Sequence, residues 1–224
     1  MKLTNNQIFK LYESLNILKE IYEPFVYKED VVAIAIGTRA DCLDDDVVEY
    51  LASIASRKDL WVEIGLQSAH DETAKWINRG YYYDTFVTAV NNLRKHNINV
   101  TVHIINGLPN ETKEMMIETV KYLSTLDIQG IKIHMLSILK DTPIEYMYQR
   151  DKFHILTKEE YIDITISQLE LLRPEIVIHR ITGDPKLEDL IEPQWLVKKF
   201  CVLNDIDKEM VKRDTYQGSK LWFI

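Results

Sequence analysis

Five apolar, β-branched runs punctuate this chain: VVAIAIG (31–37), LWVEIGL (60–66), NVTVHIING (99–107), GIKIHMLSIL (130–139) and EIVIHRI (175–181). Their starts lie about 30 to 45 residues apart, the scale of one strand–helix unit. Helical patterns fill the gaps. DDDVVEYLASIASR opens on an Asp cap region, and YDTFVTAVNNLRKHN, following Asp84, places Phe86, Val87, Val90 and Leu93 on one face. TKEMMIETVKYLSTLD does the same with Met116, Val120 and Leu123. TKEEYIDITISQLELLRP opens on a capping box, Thr157 with Glu160, and stops before Pro174. A first helix is expected over roughly 4 to 23, ending before Pro24.

Strand–helix alternation predicts a parallel sheet covered by helices with right-handed crossovers. A closed (β/α)8 barrel typically needs ~250 residues, and this chain has 224 with four clear strands and a weaker fifth. The expected fold is therefore α/β: a partial, open TIM-type barrel with parallel strands and outer helices. A flavodoxin-like open sheet is the alternative. Residues 1–182 are read as the partial barrel. Residues 183–224 are read as a C-terminal extension of helix plus aromatic tail packed on the sheet.

The net charge of −8 gives no bulk attraction for a phosphate backbone, so nucleic acid is not indicated. No stretch approaches the ~18 apolar residues of a membrane span, and the N-terminus lacks a signal-like apolar core. A cytoplasmic protein is expected. Two cysteines far apart, Cys42 and Cys201, form neither a disulfide framework nor a zinc motif, and are read as buried, inert thiols.

In parallel α/β folds, chemistry gathers at the carboxyl ends of strands. Those ends supply Thr38 and Arg39; Gln67, Ser68 and His70; Asn106 and Gly107; Ser137 and Lys140; and His179 and Arg180. Alternation refines the list. Thr101, His103 and Ile105 share one face of the third strand, and Lys132, His134 and Leu136 share one face of the fourth. Lysine and histidine under a helix layer would be costly to desolvate, so His103, Lys132 and His134 are placed on the interior face. They are either functional or core polar groups bonded to one another.

Four strand-end segments in this order, IGTRADCL, EIGLQSAHDETAKWINRG, HIINGLPNET and IKIHMLSILKDT, resemble the radical S-adenosylmethionine (SAM) superfamily. The branch is that of oxygen-independent coproporphyrinogen oxidase and the elongator-type catalytic subunit. The chain is similar to a bacterial family of predicted Fe-S oxidoreductases within it, over about residues 5 to 218. The resemblance implies SAM and a [4Fe–4S] cluster as cofactors, an electron donor and an unknown substrate. Gln67, Ser68, Arg79, His103, Asn106, Gly107 and Leu136 would then border the cofactor, and Thr38, Arg39, His134, Lys140, His179 and Arg180 the substrate.

One departure is large. Such a cluster needs three thiolates from a C-x-x-x-C-x-x-C loop, and this chain has no such triplet. The expectation is that the first two strands and first helix of the barrel lie upstream of Met1, and that this portion is inactive by itself. Its first strand would then be an edge, either available for self-association through residues 31–36 or covered by the first helix. Two other readings stay open: an intact nucleoside- or phosphate-binding α/β module without redox chemistry, and an ordinary metal- or base-dependent α/β-barrel enzyme using His103 and His134.

Overall fold

A computed structural model describes residues 5–223. Eight helices and seven strands are described: α1 (Asn5–Val26), β1 (Ala33–Thr38), α2 (Asp45–Ala55), β2 (Asp59–Gln67), α3 (Asp71–Trp76), α4 (Tyr83–Lys95), β3 (Asn99–Asn106), α5 (Lys113–Ser124), β4 (Gly130–Met135), β5 (Ile138–Leu139), α6 (Pro143–Arg150), α7 (Lys158–Leu169), β6 (Val177–Arg180), β7 (Leu190–Glu192) and α8 (Lys199–Lys212). The main sheet has the order β1-β2-β3-β4-β6, with every pair parallel. This is the open, partial barrel expected from the alternation.

Alternation along the strands makes two different faces. Leu60, Val62, Ile64 and Leu66 of β2, Val100, Val102 and Ile104 of β3, and Ile131 and Ile133 of β4 are buried beneath the helices. They meet Phe86, Val90 and Leu93 of α4, Val120 and Leu123 of α5, and Tyr161 and Ile166 of α7 in one core. The intervening residues face the concave side and are mostly polar, among them Glu63, Gln67, Thr101, His103, Lys132 and His134. Burial of the apolar set therefore fixes the register, because a one-residue slip would put Glu63 and His103 into the core.

The helix starts follow their caps. Asp44 accepts from Val47 N, Thr112 from Met115 N, and Thr157 closes its capping box with Glu160. Asp84 lies inside the first turn of α4, and Asp71 Oδ1 accepts the Tyr83 N–H at 2.8 Å instead. Pro24 does not end α1; two more residues continue it, and the last, Val26, is anchored in the core. The Thr142–Pro143 start of α6 carries the helix-initiating pattern of proline in the first turn, yet sequence reading passed over it.

The long fourth run divides. β4 ends at Met135, and Ile138–Leu139 form a separate antiparallel ribbon with β7. The C-terminal tail is also placed differently than expected. It docks at the end of α7 rather than on the sheet: Gly218 N and Lys220 N donate to Leu169 O and Glu170 O, and the Gln217 amide donates to Arg173 O and Ile176 O. The aromatic Trp222 stands 92% exposed. Both cysteines are exposed as well, Cys42 in the turn after β1 and Cys201 on α8, which corrects their reading as buried thiols.

A buried amide pair pins the end of β3 to α7. Asn106 and Gln168 exchange two hydrogen bonds of 2.8 Å, and the Gln168 amide also donates to Met116 O at 2.9 Å. Gln168→Ala leaves the Asn106 amide unpaired in the core and removes the second bond to the Met116 carbonyl. About 1–3 kcal/mol of stability should be lost, measured as a lower urea midpoint at unchanged slope.

Candidate functional site

The concave face carries one connected polar network. Parallel register sets Gly65, His103, Lys132 and Arg180 side by side across β2, β3, β4 and β6. Glu63 lies one alternation step below this row, opposite Thr101. From there its Oε2 accepts from Lys132 Nζ at 2.6 Å and sits 2.9 Å from His103 Nε2. His134 lies one step above, its ring 5.6 Å from that of His103 and near parallel at 27°. The expectation that His103, Lys132 and His134 share the interior face is met. Glu63 joins His103 and Lys132, while His134 joins by stacking on the His103 ring; Glu63 was missed. The signal was in VEIGLQ: in period two Glu63 shares the face of Gly65 and Gln67.

The electrostatics follow from this arrangement. Burial pushes the Glu63 carboxyl up, but the Lys132 ammonium and the His103 ring outweigh it, and the net shift is down. Burial lowers His103; its bond to Glu63 opposes this, while the Lys132 and Arg180 charges reinforce it. His134 falls from the usual 6.5 to about 4, first by burial and then by the His103, Arg180 and Lys132 charges. At neutral pH it is an uncharged imidazole, and its buried Nε2 has no hydrogen-bond partner among the described residues.

The end of β2 is irregular. Pairing with β3 shifts between Gly65 and Gln67, and Gln67 adopts φ 63°, a left-handed conformation that is uncommon outside glycine, asparagine and aspartate. Its side chain folds back over Gly65, where a Cβ would stand 2.6 Å from Gln67 Nε2. Gln67 Oε1 is buried without a partner. The bend is held from behind by Arg79, which donates to the carbonyls of Leu66, Ser68 and Tyr81. The Tyr81 hydroxyl donates to Gly65 O.

The other expected site residues divide by what they touch. Ser68 is buried and donates to the Glu111 carboxylate, and Asn106 is held in the amide pair. With Arg79 these are committed to the protein's own framework. His70 Nε2 lies 2.9 Å from Met115 O. Gly107 takes φ 85°, and the Leu136 N–H donates to Asn106 O at 2.8 Å, so this pair lines the rim between β3 and β4. Thr38 ends β1, and Arg39 is paired with Asp41 at 2.7 Å. Lys140 lies at the β5–β7 ribbon, bonded to Glu188 O, away from the network. His179 meets Trp61 edge-on at 5.2 Å in the lower part of the face, where Gly130 leaves it room.

Orphaned buried polar atoms on this side, Gln67 Oε1, Thr101 Oγ1 and His134 Nε2, fit a polar organic ligand such as a nucleoside cofactor. An iron–sulfur cluster does not fit the donor set. Three thiolates are needed and the chain has two cysteines, on separate elements. Among the described residues no three His, Cys, Asp or Glu side chains are grouped to hold a metal ion. None of the described helices is long and apolar enough to cross a membrane.

Unfolded histidines take up protons near 6.5, while His134 resists until about 4, and His103 is shifted the same way. Between those values the unfolded chain holds more protons, so stability falls as pH falls. Urea midpoints measured from pH 7 down to pH 4 should decline, and His134→Gln should flatten that slope.

Comparison with known proteins was made on sequence and on fold. Residues 4–123 match the Radical SAM superfamily, and residues 128–212 match the Radical SAM C-terminal domain. The uncharacterized protein YtqA of Bacillus subtilis is 48% identical over 204 residues, 91% of this chain and 63% of that protein. The uncharacterized protein MJ0486 of Methanocaldococcus jannaschii is 33% identical over 94% of this chain and 66% of its own length. The chain thus spans about two thirds of the length of these relatives. An archaeal Elp3 from Methanocaldococcus infernus shares the fold with TM-score 0.75 at 20% identity, over 89% of this chain and 46% of that one. With the superfamily match covering more than half of the chain and the open parallel sheet beneath it, the chain belongs to the radical SAM superfamily.

Proposed function

We propose that this chain is the cofactor- and substrate-shaping portion of a radical SAM oxidoreductase. The parent enzyme would cleave SAM reductively to begin radical chemistry on a substrate. The observation that carries this is the concave face. It combines a strained, orphaned Gln67 at the strand end with the Glu63–His103–Lys132–His134 network below it, in a chain of this superfamily. Gln67, the Gly107–Leu136 rim and the upper edge of His103 would border the nucleoside. Ser68, Arg79 and Asn106 would act behind them by fixing the strand ends. Bound together with a reduced cluster, SAM supplies a 5′-deoxyadenosyl radical. The thiolates for that cluster, and the electron donor, would come from outside these residues.

Two measurements test the reading. Anaerobic treatment with iron and sulfide should leave the chain colourless with no bound iron, and calorimetry should show S-adenosylhomocysteine binding weakened by Gln67→Ala. A stoichiometric cluster, or binding of guanosine in preference to the adenosyl compound, would overturn it.

The exposed side of β1 extends the proposal. Among the described residues no strand pairs with its outer edge, and Ala33, Ala35 and Gly37 are exposed on the concave side. An unpaired apolar edge is a template for another strand. Sedimentation should show concentration-dependent association with slow amide exchange over 33–38; a monomer with fast exchange there would count against it.

A further inference from the structure

The charge on the concave face runs against the charge of the chain. The whole sequence carries −8. Yet the titratable side chains of this face are Asp59 and Glu63 of β2, His103 of β3, Lys132 and His134 of β4, and His179 and Arg180 of β6. Asp59 stands at the start of β2, where it accepts from Trp61 and Asn99, and the charge of Glu63 is answered by Lys132 at 2.6 Å. Arg180 is left over. It stands beside Lys132 in the register and is exposed, with no carboxylate partner among the described residues. Its charge also bears on both His103 and His134.

There is open space at this group: Arg180 is exposed, and 19% of the Lys132 side chain and 29% of the His103 side chain reach solvent. The space borders donors: the free N–H groups of Arg180, two further Lys132 hydrogens, and His134 Nε2, which has no protein partner among the described residues. An exposed cation without a counter-charge on a concave surface attracts anions. Guanidinium, ammonium and imidazole donors converging on one space match an oxyanion.

The geometry points to an oxyanion subsite here: a carboxylate or phosphate of the substrate held by Arg180, with His134 and Lys132 as further donors, below the rim where the cofactor would sit. Glu63 is then a positioning residue, keeping Lys132 and His103 in place while leaving Arg180 without a counter-charge. The substrate class is an anionic molecule. This deepens the preceding proposal and rests on it for the word substrate, but the site itself stands on this chain's own residues.

Imidazole NMR of the chain, titrated at constant ionic strength with sodium phosphate and separately with sodium acetate, tests this. Saturable movement of the His134 and His103 signals is expected, with the exposed His96 and His154 unmoved. Arg180→Gln should weaken the response about tenfold, the loss of one charge-assisted contact, and Arg180→Lys should recover part of it. Whichever anion binds tighter identifies the oxyanion. Repeating the titration with S-adenosylhomocysteine present separates the two proposals. Unchanged anion affinity supports a distinct subsite, and displacement of one by the other overturns it. An anion response without any nucleoside binding supports the subsite while counting against the cofactor reading. A His134 signal that does not move with either anion, that moves only as His96 does, or that responds equally in Arg180→Gln overturns the subsite.

Discussion

Glu63 is the carboxylate on which the concave face depends. It reaches across β3 to hold a lysine from β4 and a histidine from β3, so three strands share one ion-pair network. Both partners are largely withdrawn from water, with 19% of the Lys132 side chain and 21% of the Glu63 side chain exposed. At that burial the pair is weak support for stability, since desolvation offsets much of the attraction. Its effect is on specificity of arrangement. Without Glu63, the Lys132 ammonium would face two imidazoles and a guanidinium with no counter-charge. The parallel order of the sheet and the polarity of its inner face are therefore mutually dependent: the apolar outer face sets the register, and the register makes the network possible.

The strand ends show a different use of polar groups. Arg79 is almost fully buried, and its charge is directed at carbonyls that a bulged strand can no longer pair. Two backbone acceptors at the end of β2, and a third at Tyr81 before α4, are thereby satisfied by one guanidinium. That support holds Gln67 in a backbone conformation costing of order 1–3 kcal/mol. Ser68 and Glu111 tie the same bend to the loop after β3, where burial raises the Glu111 carboxyl against its bonds to Ser68 and Thr73. Residues of this kind shape a ligand site from behind, and their chemistry in sequence is indistinguishable from that of residues at its surface.

That distinction marks how much the sequence could disclose. The period-two pattern in VTVHII and IKIHML was enough to put His103, Lys132 and His134 on the inner face, because desolvation permits only one side for them. The same pattern contained Glu63, but a lone glutamate in an apolar strand gave no sign of partners two strands away. Ser68 and Asn106 were legible as strand-end polar groups, and Arg79 through the family resemblance of INRG, yet their inward bonds depend on a bulge and on Gln168, sixty-two residues from Asn106. Similarly, GIKIHMLSIL reads as one strand until β7 competes for its second half. Local alternation reports facing; it carries no information on which distant segment supplies the partner.

The superfamily fold and the donor set of this chain point to a separation of tasks. Holding a nucleoside and an anionic group requires directed hydrogen bonds and fixed charge, which strand ends and a concave sheet supply through backbone geometry. Delivering an electron through iron requires thiolates, for which imidazole and carboxylate are poor replacements in a cubane cluster. The inner face is rich in the first kind of group and has none of the second, while the two thiols of the chain lie exposed on a turn and an outer helix. A face so equipped can select and orient, and its neutral His134 can accept or donate a hydrogen bond without adding charge. On the proposed reading the redox step would be brought to it across the β1 side, where a Cβ on Gly37 would meet nothing within 4 Å.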